Sequence, residues 1–169
     1  TGSTDEAFKG LLKLVEKKYQ VDYIKGGRDT GAYFHAYKKY PSKAYMFMHD
    51  SMEATDKNWL KRFTDKKKDF VAFARFTVAN NLCPIPERIA SLAPYGVGKY
   101  GVMGPIFYAT DKFMKQVEKA GYLAMIPKDR DETHATERLW GGLVEKLGYE
   151  VESVNGEFFQ AFRQMFRLC

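Results

Sequence analysis

At 169 residues, with 45% hydrophobic and 28% charged side chains, the chain has the size and composition of one soluble domain able to bury a core without covalent staples. Two cysteines, Cys83 and Cys169, are too few for a disulfide framework and too widely spaced for a CxxC site, and no apolar run approaches the roughly 18 residues that span a bilayer. Together with an N-terminal "TGSTDEAFKG" that lacks the basic start and apolar stretch of a signal peptide, this predicts a soluble protein of a reducing, cytoplasmic compartment with no transmembrane segment.

In chain order, Phe8, Leu11, Leu12 and Val15 recur at helical spacing and predict a helix over Asp5 to Tyr19. A short strand "VDYIK" follows, then a Gly-Gly break, then a helix in "TGAYFHAYKKY" ended by Pro41. The run "AYMFMHDSM", Ala44 to Met52, carries five apolar residues into His49 and Asp50, the pattern of a strand covered on both faces with a charge at its carboxyl end. A helix around Lys57 to Thr64, a strand "DFVAFARF" and an irregular Pro-containing stretch from Asn80 to Gly98 come next. "YGVMGPIFYAT" reads as a strand leading into a helix "DKFMKQVEKAG", with Asp111 as N-cap and Gly121 as stop. "YLAMIP" reads as extended, Asp131 to Leu147 as a helix closed by Gly148, and "YEVESVNG" as a last strand. In the tail, Phe158, Phe159, Phe162, Met165 and Phe166 fall on one helical face. Strands alternating with helices predict a single α/β domain over residues 1–169, with a mainly parallel sheet flanked by helices on both faces.

Four segments are candidates for chemistry. In "KGGRDTGAY", Gly27 breaks a strand, Arg28 and Asp29 offer opposite charges, and the following helix presents free N–H groups that attract an anion. The same pattern also suits Asp29 as a simple helix cap. In "HDSM", His49 and Asp50 stand at a strand end, where a divalent cation shared with substrate phosphates is bound, or where Asp50 caps the next helix. "GVGKYG" has GxGxxG spacing but lacks the strand before and helix after that a dinucleotide site needs, and reads as a loop. "HATERLWGGLVEKLGYEV" holds Glu137 near the start of a helix, where the helix dipole alone favours a carboxylate.

Taken in order, these pieces resemble the GT-A type glycosyltransferases, across about Tyr23 to Gly156. The likeness lies in a Gly-Arg-Asp segment before a helix, a hydrophobic strand ending in acid, the Gly-containing strand "GVMGPIFYAT", and a helix with an acidic residue beside the acceptor. The chain departs from the family in having "HDSM" where two acids separated by one residue are usual, and in opening on a helix. Either the first strand lies outside this chain, one domain of a longer protein, or the fold starts unusually. The resemblance implies transfer of a sugar from a nucleoside diphosphate sugar, UDP-sugars first, to a glycan or other hydroxyl acceptor, assisted by Mn²⁺ or Mg²⁺. It places Lys25, Gly27, Arg28 and Asp29 at the nucleotide, His49 and Asp50 at the metal and diphosphate, Gly104 on the acceptor side, and Glu137 with Asp50 in catalysis.

The net charge of +6 independently favours an anionic partner, and the alternative to an enzyme is a non-catalytic nucleotide- or nucleic-acid-binding module. Most of the Tyr and Phe residues sit at apolar-periodic positions, which favours core over base stacking and a protein without a nucleic-acid partner. The run "DKKKD", Asp65 to Asp69, flanked by acids, reads as a solvated turn. A third reading, a membrane- or partner-docking domain, rests on the Phe-rich tail with Arg163 and Arg167.

Overall fold

A computed structural model describes residues 13, 15–22, 24, 27–49, 52–54, 56–80, 84–104, 106–155 and 166–168. The helices are α1 (Arg28–Lys39), α2 (Trp59–Thr64), α3 (Glu87–Ser91), α4 (Asp111–Lys119) and α5 (Arg130–Lys146). The strands are β1 (Ala44–Phe47), β2 (Met52–Ala54), β3 (Phe70–Ala72), β4 (Arg75–Thr77), β5 (Tyr100–Val102), β6 (Phe107–Thr110) and β7 (Phe166–Leu168).

The expected parallel sheet is not what forms. β6 lies between β1 and β3 and runs antiparallel to both, β4 pairs antiparallel with β5, and β2 pairs antiparallel with β7. Parallel pairing among the described residues is confined to a bridge between Ala72 and Ser153, extended by backbone bonds from Ala72 N to Glu152 O (2.8 Å) and from Val154 N to Ala72 O (3.0 Å). One contributing constraint is the length of the intervening helices. A parallel crossover needs a helix long enough to run back along the sheet, on the order of a dozen residues with its connections. The helix between β2 and β3 has six residues and the one between β4 and β5 has five. The longer α4 and α5 follow one another without a strand between them. This is therefore not a GT-A fold.

Local chemistry explains most helix ends. Thr110, one residue before the expected cap, accepts from Phe113 N (3.3 Å), which leaves Asp111 in the first turn of α4 to pair with Lys115 (2.6 Å). Asp129 accepts from Glu132 N (2.9 Å) at the start of α5, and Gly121 and Gly148 take the left-handed positions after α4 and α5. The "YLAMIP" segment is not extended; Tyr122–Ala124 form a single 3₁₀ turn. Phe166–Leu168 are a strand rather than part of a helix, and the other four residues of that predicted face lie outside the described residues, as does most of the predicted N-terminal helix.

The sheet separates two clusters by the alternation of its side chains. Tyr45 and Phe47 of β1, Phe70 and Ala72 of β3, and Phe107 and Ala109 of β6 face Tyr33 and Tyr37 of α1, Phe113 and Val117 of α4, and Leu139, Trp140 and Leu143 of α5. Met46, Val71, Phe73 and Tyr108 point the other way, onto Trp59 and Phe63 of α2. In α5, Gly141 and Gly142 let the helix backbone lie directly on the chain before and within β5. A Cβ at Gly141 would stand 1.5 Å from Tyr100 O, and one at Gly142 2.0 Å from Gly96 O.

Candidate functional site

One strand-like stretch, Phe70 to Thr77, runs opposite another, Tyr100 to Thr110, but the two do not match in length. Ala72 pairs with Phe107 and Arg75 with Val102, so two residues on one side face four positions on the other. The surplus is taken up in a bulge: Phe73 N donates to Ile106 O (2.8 Å), Met103 N to Ala74 O (3.1 Å) and Ile106 N to Met103 O (3.2 Å). Gly104 sits in this bulge at φ +58°, a left-handed conformation that glycine adopts without strain. Its N–H, turned out of the ladder, donates to Glu137 Oε1 at 3.1 Å.

Glu137 is the eighth residue of α5, not a first-turn residue. The dipole account of its carboxylate therefore fails, and a different one replaces it. Burial beneath the bulge pushes its carboxyl up from 4.5 to about 7; the Gly104 N–H and the nearby His49 pull it down, the charge of Asp29 raises it further, and Arg138 lowers it slightly. Tyr122, also within electrostatic reach of Glu137, is fully buried, donates to Thr136 O (3.0 Å), and is held far above its ordinary value by that burial.

His49 leaves β1 beside the bulge, with Cε1 3.4 Å from where a Gly104 Cβ would stand. Its Nε2 lies 3.4 Å from Asp29 Oδ2, so strand exit and helix start meet here. Asp29 does not cap α1. Gly27 occupies the N-cap at φ +83° with no side-chain cap bond, a Cβ there would fall 2.9 Å from Gly31 Cα, and Arg28 follows at φ +46° with its side chain exposed.

The structure thus brings Asp29, His49, Gly104 and Glu137 together, with Gly27 and Arg28 adjoining in sequence. Asp50 and Lys25 lie outside the described residues. Among the described residues no three His, Cys, Asp or Glu side chains are placed to share an ion; Asp50, which the expected Mn²⁺ or Mg²⁺ site pairs with His49, lies outside them. Nothing in the sequence marks Tyr122, because its burial depends on tertiary packing. The bulge had a local signal, the Gly-Pro pair inside a strand pattern.

Chemically, a carboxyl poised near neutrality, fixed by one backbone donor and flanked by an imidazole and a second carboxylate, suits proton transfer. No protein-family model, curated protein or solved structure matches the chain. No helix among the described residues is long and apolar enough to cross a membrane.

Proposed function

We propose that this chain is an enzyme that works by general acid–base catalysis, with Glu137 as the base that takes a proton from an acceptor hydroxyl. The observation that carries this reading is the Glu137 carboxyl, pushed to about 7 by burial and anchored by Gly104 N–H. A base poised near the working pH combines a large ionised fraction with useful proton affinity. Asp29 and His49 border the base and set its charge environment. Transfer of a sugar from a nucleoside diphosphate sugar to a glycan or other hydroxyl acceptor is the form of the reaction that the order of the sequence motifs suggests. The antiparallel fold removes the parallel-strand crevice as support for the donor, which leaves Arg28 and the start of α1 as its proposed anchor. No step is assigned to a metal. A reducing, cytoplasmic setting belongs to the same proposal and rests on the two lone cysteines.

The test pairs binding with turnover. A thermal-shift screen of UDP-sugars and other nucleotide sugars, with and without Mn²⁺, reads donor binding as a rise in apparent stability. Release of nucleoside diphosphate in the presence of hydroxyl acceptors then reads transfer. A donor that binds, with release that depends on acceptor and falls in Glu137→Gln, supports the reading. Absence of any nucleotide-sugar shift removes the donor, and turnover unaffected by Glu137→Gln removes the base.

A further inference from the structure

Between Asp56 and Asp69 the chain carries six cations, Lys57, Lys61, Arg62, Lys66, Lys67 and Lys68, against three acids. All six cations are exposed. Arg62 is paired with Asp56 (2.9 Å) and Lys66 with Glu152 (2.8 Å), while Asp69 is engaged from another element by Lys112 of α4 (2.7 Å). Among the described ion pairs, none holds Lys57, Lys61, Lys67 or Lys68, and of the segment's own acids only Asp65 is left unpaired. The apolar side of α2 is spent on the sheet, with Phe63 fully buried against Val71, Phe73 and Ile106 and Trp59 packed alongside. The charged side therefore faces solvent.

Lys67 adds a second, independent observation. Two residues beyond Asp65, the C-cap of α2, it takes the left-handed region at φ +51°, with its N–H donating to Thr64 O (3.1 Å). Glycine or asparagine is the residue this position favours, because a Cβ is strained there. A lysine thus stands where the backbone disfavours a side chain, beside two others.

We propose that the outer face of α2 and the lysine turn after it are a docking surface for the phosphate backbone of a nucleic acid. The surface offers charge without an apolar anchor: Leu60, 43% exposed, is the only large hydrophobic residue of α2 that is markedly exposed. A membrane-seated helix would need an apolar face to bury among the acyl chains. Lys57, Lys61 and Lys67, with Lys68 whose charge also acts on Glu152, offer cations to phosphates, whose neutralisation releases counterions and needs no particular base sequence. The surface does not depend on the Glu137 reading.

The experiment measures fluorescence anisotropy of a labelled DNA duplex with the 169-residue chain across a salt series. Three or four phosphate contacts give a slope of log K against log salt of about −3 to −4. Lys68→Gln should reduce the steepness by about one, and Lys67→Gly by the same amount while raising the melting temperature. Absence of salt-dependent binding would overturn the proposal, as would slopes unchanged in both variants. Binding to phosphatidylserine vesicles with the duplex ignored would assign the surface to membranes and overturn it. Lys67→Gly that lowers stability and leaves DNA affinity intact would make the lysine a structural residue and overturn its role.

Discussion

Replacing Glu137 with Gln isolates the proton from the packing, since the amide keeps the shape and its carbonyl oxygen still accepts from Gly104 N–H. In the folded chain the carboxyl titrates near 7, against an ordinary 4.5. Between these values the native state holds a proton that the unfolded chain has released. The stability tied to that proton is fully present below pH 4.5, declines as pH rises, and is gone above about 7. The shift corresponds to about 3 kcal/mol, an upper figure because Glu137 keeps some access to solvent. For a chain of this size each kcal/mol moves the melting temperature by about 2–4 °C. The difference in melting temperature between Glu137→Gln and the parent chain should therefore grow, in favour of the variant, by at most roughly 6–12 °C between pH 4 and pH 8. The same variant should lose turnover by about 10²- to 10⁴-fold, the scale of a lost general base. Calorimetry across this range at constant ionic strength is the assay. Parallel melting curves for the two proteins would refute the reasoning, because they would show that burial under the bulge does not perturb Glu137.

Asp29→Asn removes a negative charge that raises Glu137, so the Glu137 midpoint should fall toward 4.5 and the acidic limb of activity should move with it. Carboxyl NMR reads the midpoint directly, and an unmoved value would show that the two groups do not communicate. Gly141→Ala places a methyl 1.5 Å from Tyr100 O, a backbone atom that cannot swing away, so denaturant unfolding should show a loss of more than about 3 kcal/mol; a near-neutral result would mean α5 does not lie on β5 as described. Glu132, held down to about 2 by the Arg88 guanidinium, contributes stability above its ordinary 4.5 that is lost as pH falls toward 2. Arg88→Met should flatten that part of the stability–pH curve, and an unchanged acid limb would show that the pair does not couple to folding.

The helices and the positions of most strands were legible because their signals are local. Gly121 and Gly148 end helices where the sequence says they must, and the apolar alternation in "DFVAFARF" does divide two faces. Strand direction was not legible, because it depends on whether a connection can run the length of the sheet. Periodicity over Lys57 to Thr64 looks the same for a crossover helix and for the six-residue turn of helix that forms there. A count of residues per helix was the missing constraint: α4 and α5 are long enough to cross, but they adjoin each other instead of alternating with strands.

The site shows a sharper version of the same division. Arg28, Asp29, His49, Gly104 and Glu137 lie in four separate segments, and the antiparallel fold gathers Asp29, His49, Gly104 and Glu137 around one bulge. The sequence predicts Glu137 ionised beside helix N–H groups, but α5 begins at Arg130, which puts it two turns from the helix start, where the dipole no longer reaches strongly. Its environment instead comes from the mismatch of two facing residues with four positions, which frees the Gly104 N–H and covers the carboxyl at the same time. The resemblance places Asp29 at the nucleotide and His49 at the metal, and the side chains of these two residues, 20 positions apart, lie 3.4 Å from each other. A buried carboxyl beside an imidazole and a second carboxylate is a property of the bulge and of the two elements that end against it. Only the Gly-Pro pair in "VMGPI" announced that bulge in the sequence.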